Sequence, residues 1–274
     1  MIRNPAVAGQ FYPGSVRGLV EEVRSCVEPD AVKTDAFGLV CPHAGYMYSG
    51  KVAGAVYSRI NMPDTFIIIG PNHYGLGSDF SIATAGVWRT PLGEVRVDSL
   101  LASEILKNSK HLDEDPFAQE REHSLEVQIP FMQFFSKEFQ IIPINIRHYE
   151  PDESFLQMCR DIGSGIARVV SGAGCKVTVV ASTDFTHYEP QSVAREKDMA
   201  ALDAIVALDA TRLFRVVRER DISMCGFAPV AVTITACKLL GAKKAQLVKY
   251  MTSGDTTGDY SSVVGYGGVI ITAD

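Results

Sequence analysis

The chain has 274 residues, of which 46% are hydrophobic and 21% charged, a composition typical of a folded globular protein. Its formal net charge of −6 argues against a general surface for nucleic acids or anionic membranes, because such surfaces are basic. No apolar run approaches the roughly 20 residues of a membrane span, and the N-terminus lacks the apolar core of a signal peptide. We therefore expect a cytoplasmic protein with no nucleic-acid partner and no membrane insertion.

The six cysteines are scattered through the sequence and form no C-x-x-C pair. They lie at positions 26, 41, 159, 175, 225 and 237. This spacing suits a reducing compartment better than a disulfide framework.

The first half of the chain predicts strands that alternate with helices. Ser15 is a candidate N-cap for a helix through VRGLVEEVRSCV. Buried strands are predicted over 37–41 and 65–70, with a helix over 50–60 between them. Residues 80–98 read as a hairpin in which FSIATAG and EVRVD flank the turn-rich WRTPLG.

The second half continues the same alternation. Helices are predicted over 99–108 and 153–171, and strands over 139–147 and 176–182. A helical stretch near 192–220 is broken around Asp209, and a further helix follows SMCGFAP. Two strands, AQLVKYMTS and VVGYGGVIIT, end the chain. The pattern predicts one α/β domain over 1–274, with a central mixed sheet flanked by helices.

Three of the six histidines follow predicted buried strands: His43, His73 and His187. Ligands of open α/β sheets bind at the carboxyl ends of the strands. Pro42 and Pro71 end ladder pairing before the first two histidines, which places two imidazoles from what we take to be neighbouring strands over one point.

Two histidines need a third donor to form a metal site. The candidates are Cys225, Glu126, Asp184, Asp255 and Asp259. Cys225 directly precedes a predicted helix, and a thiol at a helix N-terminus is expected to have a lowered pKa. Two neutral imidazoles and one anionic ligand form a familiar divalent-metal site with open positions.

Each of these residues also has a purely structural interpretation. A histidine at a strand end can be a hydrogen-bonded loop residue, and Cys225 can be a buried apolar thiol. His187 can cap the following segment, and Asp184 can be an N-cap. The GYGG segment at 265–268 can be a bulged final strand.

Seven blocks in order resemble the Memo family, whose fold is similar to that of the class III extradiol dioxygenases. They are AVAGQFYP at 6–13, PHAGYMYSG at 42–50, GPNHYG at 70–75, REHSLEVQIPFMQ at 121–133, ASTDFTHY at 181–188, MCGFAP at 224–229 and GYGG at 265–268. The resemblance spans nearly the whole chain.

This resemblance implies a metal site at His43, His73 and Cys225, with His187 and Asp184 in the same pocket. In the dioxygenases two histidines and a glutamate hold iron(II), and a further histidine, matched here by His187, acts as acid and base. Cys225 stands where a carboxylate would be expected, which departs from extradiol dioxygenation. A thiolate is softer and favours iron or copper, with zinc as a further candidate.

Four functions follow as hypotheses. The first is a metal-dependent redox enzyme acting on a small molecule, in which His187 moves a proton and Asp184 orients His187 or a water. The second is a non-catalytic binding protein whose pocket holds a peptide or a ligand, since Memo proteins are associated with binding of phosphorylated receptor peptides. The third makes Cys225 a metal-free nucleophile, and the fourth is a zinc hydrolase.

Overall fold

The computed structural model describes all 274 residues. Its centre is a twelve-stranded mixed sheet, and the central strands are short apolar runs that alternate with helices along the chain. The strands are β1 (Ile2–Arg3), β2 (Gly38–Cys41), β3 (Thr65–Pro71), β4 (Phe80–Ile82), β5 (Val87–Thr90), β6 (Gly93–Val97), β7 (Asp113–Glu114), β8 (Gln140–Ile146), β9 (Val177–Ser182), β10 (His187–Glu189), β11 (Lys244–Thr252) and β12 (Val263–Thr272).

Helices follow most of the central strands. They are α1 (Val16–Cys26), α2 (Tyr46–Tyr57), α3 (Ser99–Asn108), α4 (His123–Glu126), α5 (Ile129–Phe135), α6 (Glu153–Ser171), α7 (Gln191–Val206), α8 (Ala210–Glu219), α9 (Phe227–Leu239) and α10 (Gly254–Thr257), with one turn of 3₁₀ helix at Pro116–Gln119. None of them is long and apolar enough to cross a membrane.

Four parallel strands form the centre of the sheet, in the order β8, β3, β9, β2. Every residue of β2 and β3 is buried, as expected for parallel strands covered on both faces by helices. The helices α6 and α9 pack together on one part of the sheet, and α2 packs against β2, β11 and β12. The predicted α/β architecture with a central mixed sheet flanked by helices is confirmed.

The hairpin predicted over 80–98 is wrong in its first strand. The hairpin joins β5 and β6, with Val87 opposite Arg96. FSIATAG instead supplies β4, which runs antiparallel to β8 and parallel to β7. Its β-like composition was recognised, but its partner is distant in sequence and leaves no local signal.

A serine cap and a proline mark the starts of two helices, α1 and α5. Ser15 caps α1, and its side chain accepts a hydrogen bond from the Gly18 backbone N–H. The EHSLEVQIPFMQFF stretch divides into α4 and α5. Pro130 lies in the first turn of α5, where a backbone N–H would have no acceptor within the helix, so proline is tolerated there.

The C-terminal GYGG segment is explained by close packing in β12. A Cβ at Gly265 would lie 1.8 Å from Oδ2 of buried Asp198, and one at Gly268 would lie 2.6 Å from Val56. The neighbouring strand β11 has an irregular register between Leu247 and Lys249.

Glu126 fastens the N-terminal segment to α4. Its buried carboxylate pairs with Arg3 at 2.5 Å and accepts hydrogen bonds from the Tyr12 hydroxyl and from the backbone N–H groups of Ala6 and Val7. Arg3 also donates to the Glu122 carbonyl oxygen at 2.7 Å. Glu126 therefore has a structural role in this fold and is fully engaged away from any metal site.

Glu126→Gln is expected to lower the free energy of unfolding by about 3–5 kcal/mol, because it leaves the buried Arg3 guanidinium without its anion. Urea denaturation measures this loss. The matched control is Glu94→Gln, which removes an exposed pair with Arg89 and should change stability by no more than about 1 kcal/mol. Equal effects of the two substitutions would contradict the structural role of Glu126.

Candidate metal site

Three histidines meet at the carboxyl end of the central strands. His43 follows β2, His73 follows β3, and His123 opens α4. The ring centroids of His43 and His73 are 5.1 Å apart, and the His123 ring is 5.4 Å and 4.5 Å from them. One nitrogen from each ring lies within 4.8 Å of the other two, a spacing that can hold a metal ion.

The two predicted histidines do not come from neighbouring strands. β9 lies between β2 and β3 in the sheet, so that part of the expectation is wrong. The loops after β2 and β3 nevertheless bring the rings together, and Ser182 at the end of β9 contacts one of them. The loops and side chains are long enough to bring the two rings together across the intervening strand β9.

Ser182 fixes the orientation of His43. The Ser182 hydroxyl donates to the Ser124 carbonyl oxygen at 2.6 Å, so its oxygen accepts both from Gln128 Nε2 at 2.9 Å and from His43 Nδ1 at 3.0 Å. Because the single hydroxyl proton is already used, His43 carries its proton on Nδ1. Its Nε2 lone pair is then available to a metal.

Glu122 fixes His73 in the same manner. One of its carboxylate oxygens accepts from His73 Nδ1 at 2.9 Å, and the other accepts from the His73 backbone N–H at 2.7 Å. A carboxylate can only accept, so His73 also carries a proton on Nδ1, and the neutral form of its ring has its lone pair on Nε2. Carboxylate–histidine pairs of this kind orient metal ligands and raise their basicity.

The same carboxylate lies beside His123. Burial alone would raise the pKa of Glu122, but its hydrogen bond to His73 and the charges of His73 and His123 bring that pKa to about 2. Glu122 is therefore ionised at neutral pH. His123 Nδ1 is 3.5 Å from Glu122 Oε1 and is buried without a hydrogen-bond partner.

Burial keeps the His43 and His123 imidazoles neutral. Desolvation lowers the pKa of His43 well below its ordinary value, and it lowers the pKa of His123 to about 3 with help from the neighbouring His43. Neutral imidazole is the form that binds metal ions.

Cys225 contacts one of the three histidines, His43. Its Sγ is 3.3 Å from His43 Nε2 and 3.3 Å from the Asp184 backbone nitrogen, whose N–H donates to it. It precedes α9 as expected, with Gly226 as the N-cap. The expectation of a lowered thiol pKa is wrong, because burial and the nearby Asp184 raise the pKa of Cys225 above its ordinary value.

Cys225 is not part of the set of mutually close donor atoms, which consists of the three histidines. His123 follows no predicted strand, and the sequence analysis did not include it among the candidate donors. The signal that was available is its position directly after a glutamate in the REHSLEVQ block.

Asp184 and His187 are both near the site but have different environments. Asp184 is buried, and its Oδ1 accepts from the His43 backbone N–H at 2.8 Å, while its Oδ2 is 4.0 Å from His43 Nε2. Burial raises the pKa of Asp184. His187 is partly exposed, and its ring contacts Ser223 rather than Asp184.

The remaining candidate donors are engaged elsewhere. Asp255 accepts from the Thr252 backbone N–H, and Asp259 accepts from Ser261 within its own turn. Both carboxylates therefore stabilise local loops.

A cavity of about 530 Å³ opens onto the site. His73, Cys225 and His148 line it together with the apolar side chains of Ile222 and Phe227. Its size lies in the range of small-molecule pockets.

The sequence matches a family model described as "Memo-like protein" over residues 3–270. A MEMO1 family protein of Nitrosopumilus maritimus is 43% identical over 279 residues, covering 98% of this chain and 99% of the relative. MEMO1 family proteins of Methanosarcina barkeri and Methanopyrus kandleri are 42% and 40% identical, each covering 98% of this chain and at least 99% of the relative. Since the family model and these full-length relatives span nearly the whole sequence, the chain belongs to the Memo family.

Proposed function

We propose that this chain is a metal-dependent redox protein that acts on a small molecule, with His43, His73 and Cys225 as the metal ligands. The observation that carries the proposal is the fixed protonation of the two imidazoles. Ser182 and Glu122 each occupy an Nδ1 atom, so both rings present an unprotonated Nε2 toward the same space.

The donor set fits a metal ion on chemical grounds. Three imidazoles and one thiol lie together, and the buried Nδ1 of His123 lacks a partner. His123 supplies a further nitrogen that can complete or replace the third ligand. Imidazole and thiolate ligands together suit iron, copper and zinc rather than magnesium or calcium, and we favour iron or copper because the proposed role is redox.

The bound metal would supply Lewis-acid or electron-transfer chemistry at this position. The chain itself would provide the rest. The 530 Å³ cavity would admit a small molecule to His73 and Cys225, with Phe227 as an apolar wall. Asp184 would hold the His43 backbone in place. His187 would take up and return a proton, for which an imidazole is suited at neutral pH.

Removal of a ligand is expected to abolish stoichiometric metal binding. Protein purified without oxygen should contain metal by elemental analysis, and His43→Ala and His73→Ala should contain at least tenfold less. Cys225→Ser and His123→Ala separate the two candidates for the third ligand, since the true ligand should cause the larger loss of affinity.

His111→Ala is the matched control, because His111 lies away from the cluster and contacts Phe80. Unchanged metal content in both His43→Ala and His73→Ala would refute the proposed site. Zinc as the bound element, with no iron or copper taken up, would favour the hydrolytic alternative over the redox role.

Glu122→Gln is expected to weaken metal binding by about 10- to 100-fold without replacing any ligand, because the amide no longer orients His73 as a carboxylate does. Competition with a chromophoric chelator measures the affinity. Glu120→Gln, an exposed position two residues earlier, should bind metal like the unchanged protein. Equal affinities for all three proteins would show that the Glu122 carboxylate does not support the site.

A further inference from the structure

His187 is held at two points by one residue. Its backbone N–H donates to the Ser223 hydroxyl oxygen at 2.8 Å, and its ring Nδ1 lies 2.8 Å from the Ser223 carbonyl oxygen. Ser223 lines the 530 Å³ cavity together with His73 and Cys225. The residue that orients His187 is therefore part of the wall of that cavity.

The contact with the carbonyl oxygen determines which nitrogen carries the proton. A carbonyl oxygen can only accept, so the neutral ring must place its proton on Nδ1. The other nitrogen, Nε2, then bears the lone pair. In this state His187 can accept a proton from a bound molecule but cannot donate one until it has done so.

Lys197 fastens the two segments that meet in this contact. From α7 its ammonium group donates to the carboxylate of Glu189, the last residue of β10, and to the Asp221 carbonyl oxygen at 2.9 Å, two residues before Ser223. The Lys197 side chain is only 18% exposed. The clamp thus joins residues 187–189 to residues 221–223 independently of the ring contact.

Both joined segments contain a strained residue. Tyr188 has φ of 60° and Asp221 has φ of 49°, and only one other non-glycine residue, Leu208, has a positive φ. Side chains other than glycine adopt this region at a cost, and such strain is retained where the surroundings enforce it. Tyr188 and Asp221 thus hold this less favourable conformation within two residues of the contact between His187 and Ser223.

We propose that Ser223 and Lys197 are positioning residues that hold His187 in its Nδ1–H form, which makes Nε2 the base that first accepts a proton from the bound molecule. The proton moves from an O–H or N–H group of that molecule to Nε2, while the Nδ1–H bond to Ser223 is kept. The resulting imidazolium later returns the same proton. This role rests on the proposed function, but the protonation state itself does not depend on a metal.

Nitrogen NMR of the metal-free protein labelled with ¹⁵N-histidine tests the inference, because two-bond correlations distinguish the two neutral ring forms. The spectrum of His187→Gln assigns the signals by their absence. We expect His187 in the unchanged protein to be protonated at Nδ1 only. Lys197→Met should move the signals of His187 toward a mixture of the two forms, since the clamp no longer holds the carbonyl oxygen against the ring.

Lys238→Met is the matched control, because Lys238 is an exposed lysine on another helix, and it should leave the His187 signals unchanged. Ser223→Ala removes only the hydroxyl acceptor and should keep the Nδ1–H form, with faster exchange of the His187 amide hydrogen. A neutral His187 ring with its proton on Nε2 in the unchanged protein would overturn the proposal. The spectrum of the unchanged protein gives this answer even if Lys197→Met does not fold. If the unchanged protein binds no metal but His187 is protonated at Nδ1, the result would count against the proposed function and not against this inference.

Discussion

The site depends on two buried carboxylates at the ends of a four-residue helix. Such a short helix has almost no stability by itself. Glu122 accepts from His73 and from the Ser124 backbone N–H at one end of α4, and Glu126 pairs with Arg3 at the other. Arg3 also donates to the Glu122 carbonyl oxygen, which links the two ends. The helix that carries His123 is therefore held by contacts with the N-terminal segment and with the loop after β3.

The fold itself orients two imidazoles of the histidine cluster. Free histidine rings rotate and exchange protons between their two nitrogens, and a metal would have to select one arrangement from several. Here Ser182 and Glu122 have already made that selection for His43 and His73. Burial favours the neutral form of the ring, as the lowered pKa of His43 indicates. The entropy cost of ordering these rings is therefore part of the folding free energy, as it would be for a metal site whose ligands are fixed by outer hydrogen bonds.

The sequence indicated the members of the histidine cluster that occupy regular positions and missed the member that depends on tertiary contacts. His43 and His73 were predictable because each follows a buried strand that ends near a proline. His123 was not, because α4 is too short to show helical periodicity and the role of Glu122 emerges only when distant loops meet. The strand at Phe80–Ile82 was misassigned for the same reason, since its partner β8 lies far along the chain.

The segment from Asp221 to Gly226 couples the proposed proton acceptor to the proposed metal ligand. Ser223 contacts His187, and two residues later the Cys225 sulfur contacts His43, while buried Met224 anchors the chain between them. Ser223 and Cys225 both line the 530 Å³ cavity, so the two positions face the same space. A shift of this segment would therefore move the base and the thiol at once. Their relative positions are set by one short stretch of backbone, and the strain stored at Asp221 is consistent with a segment held in place by its surroundings.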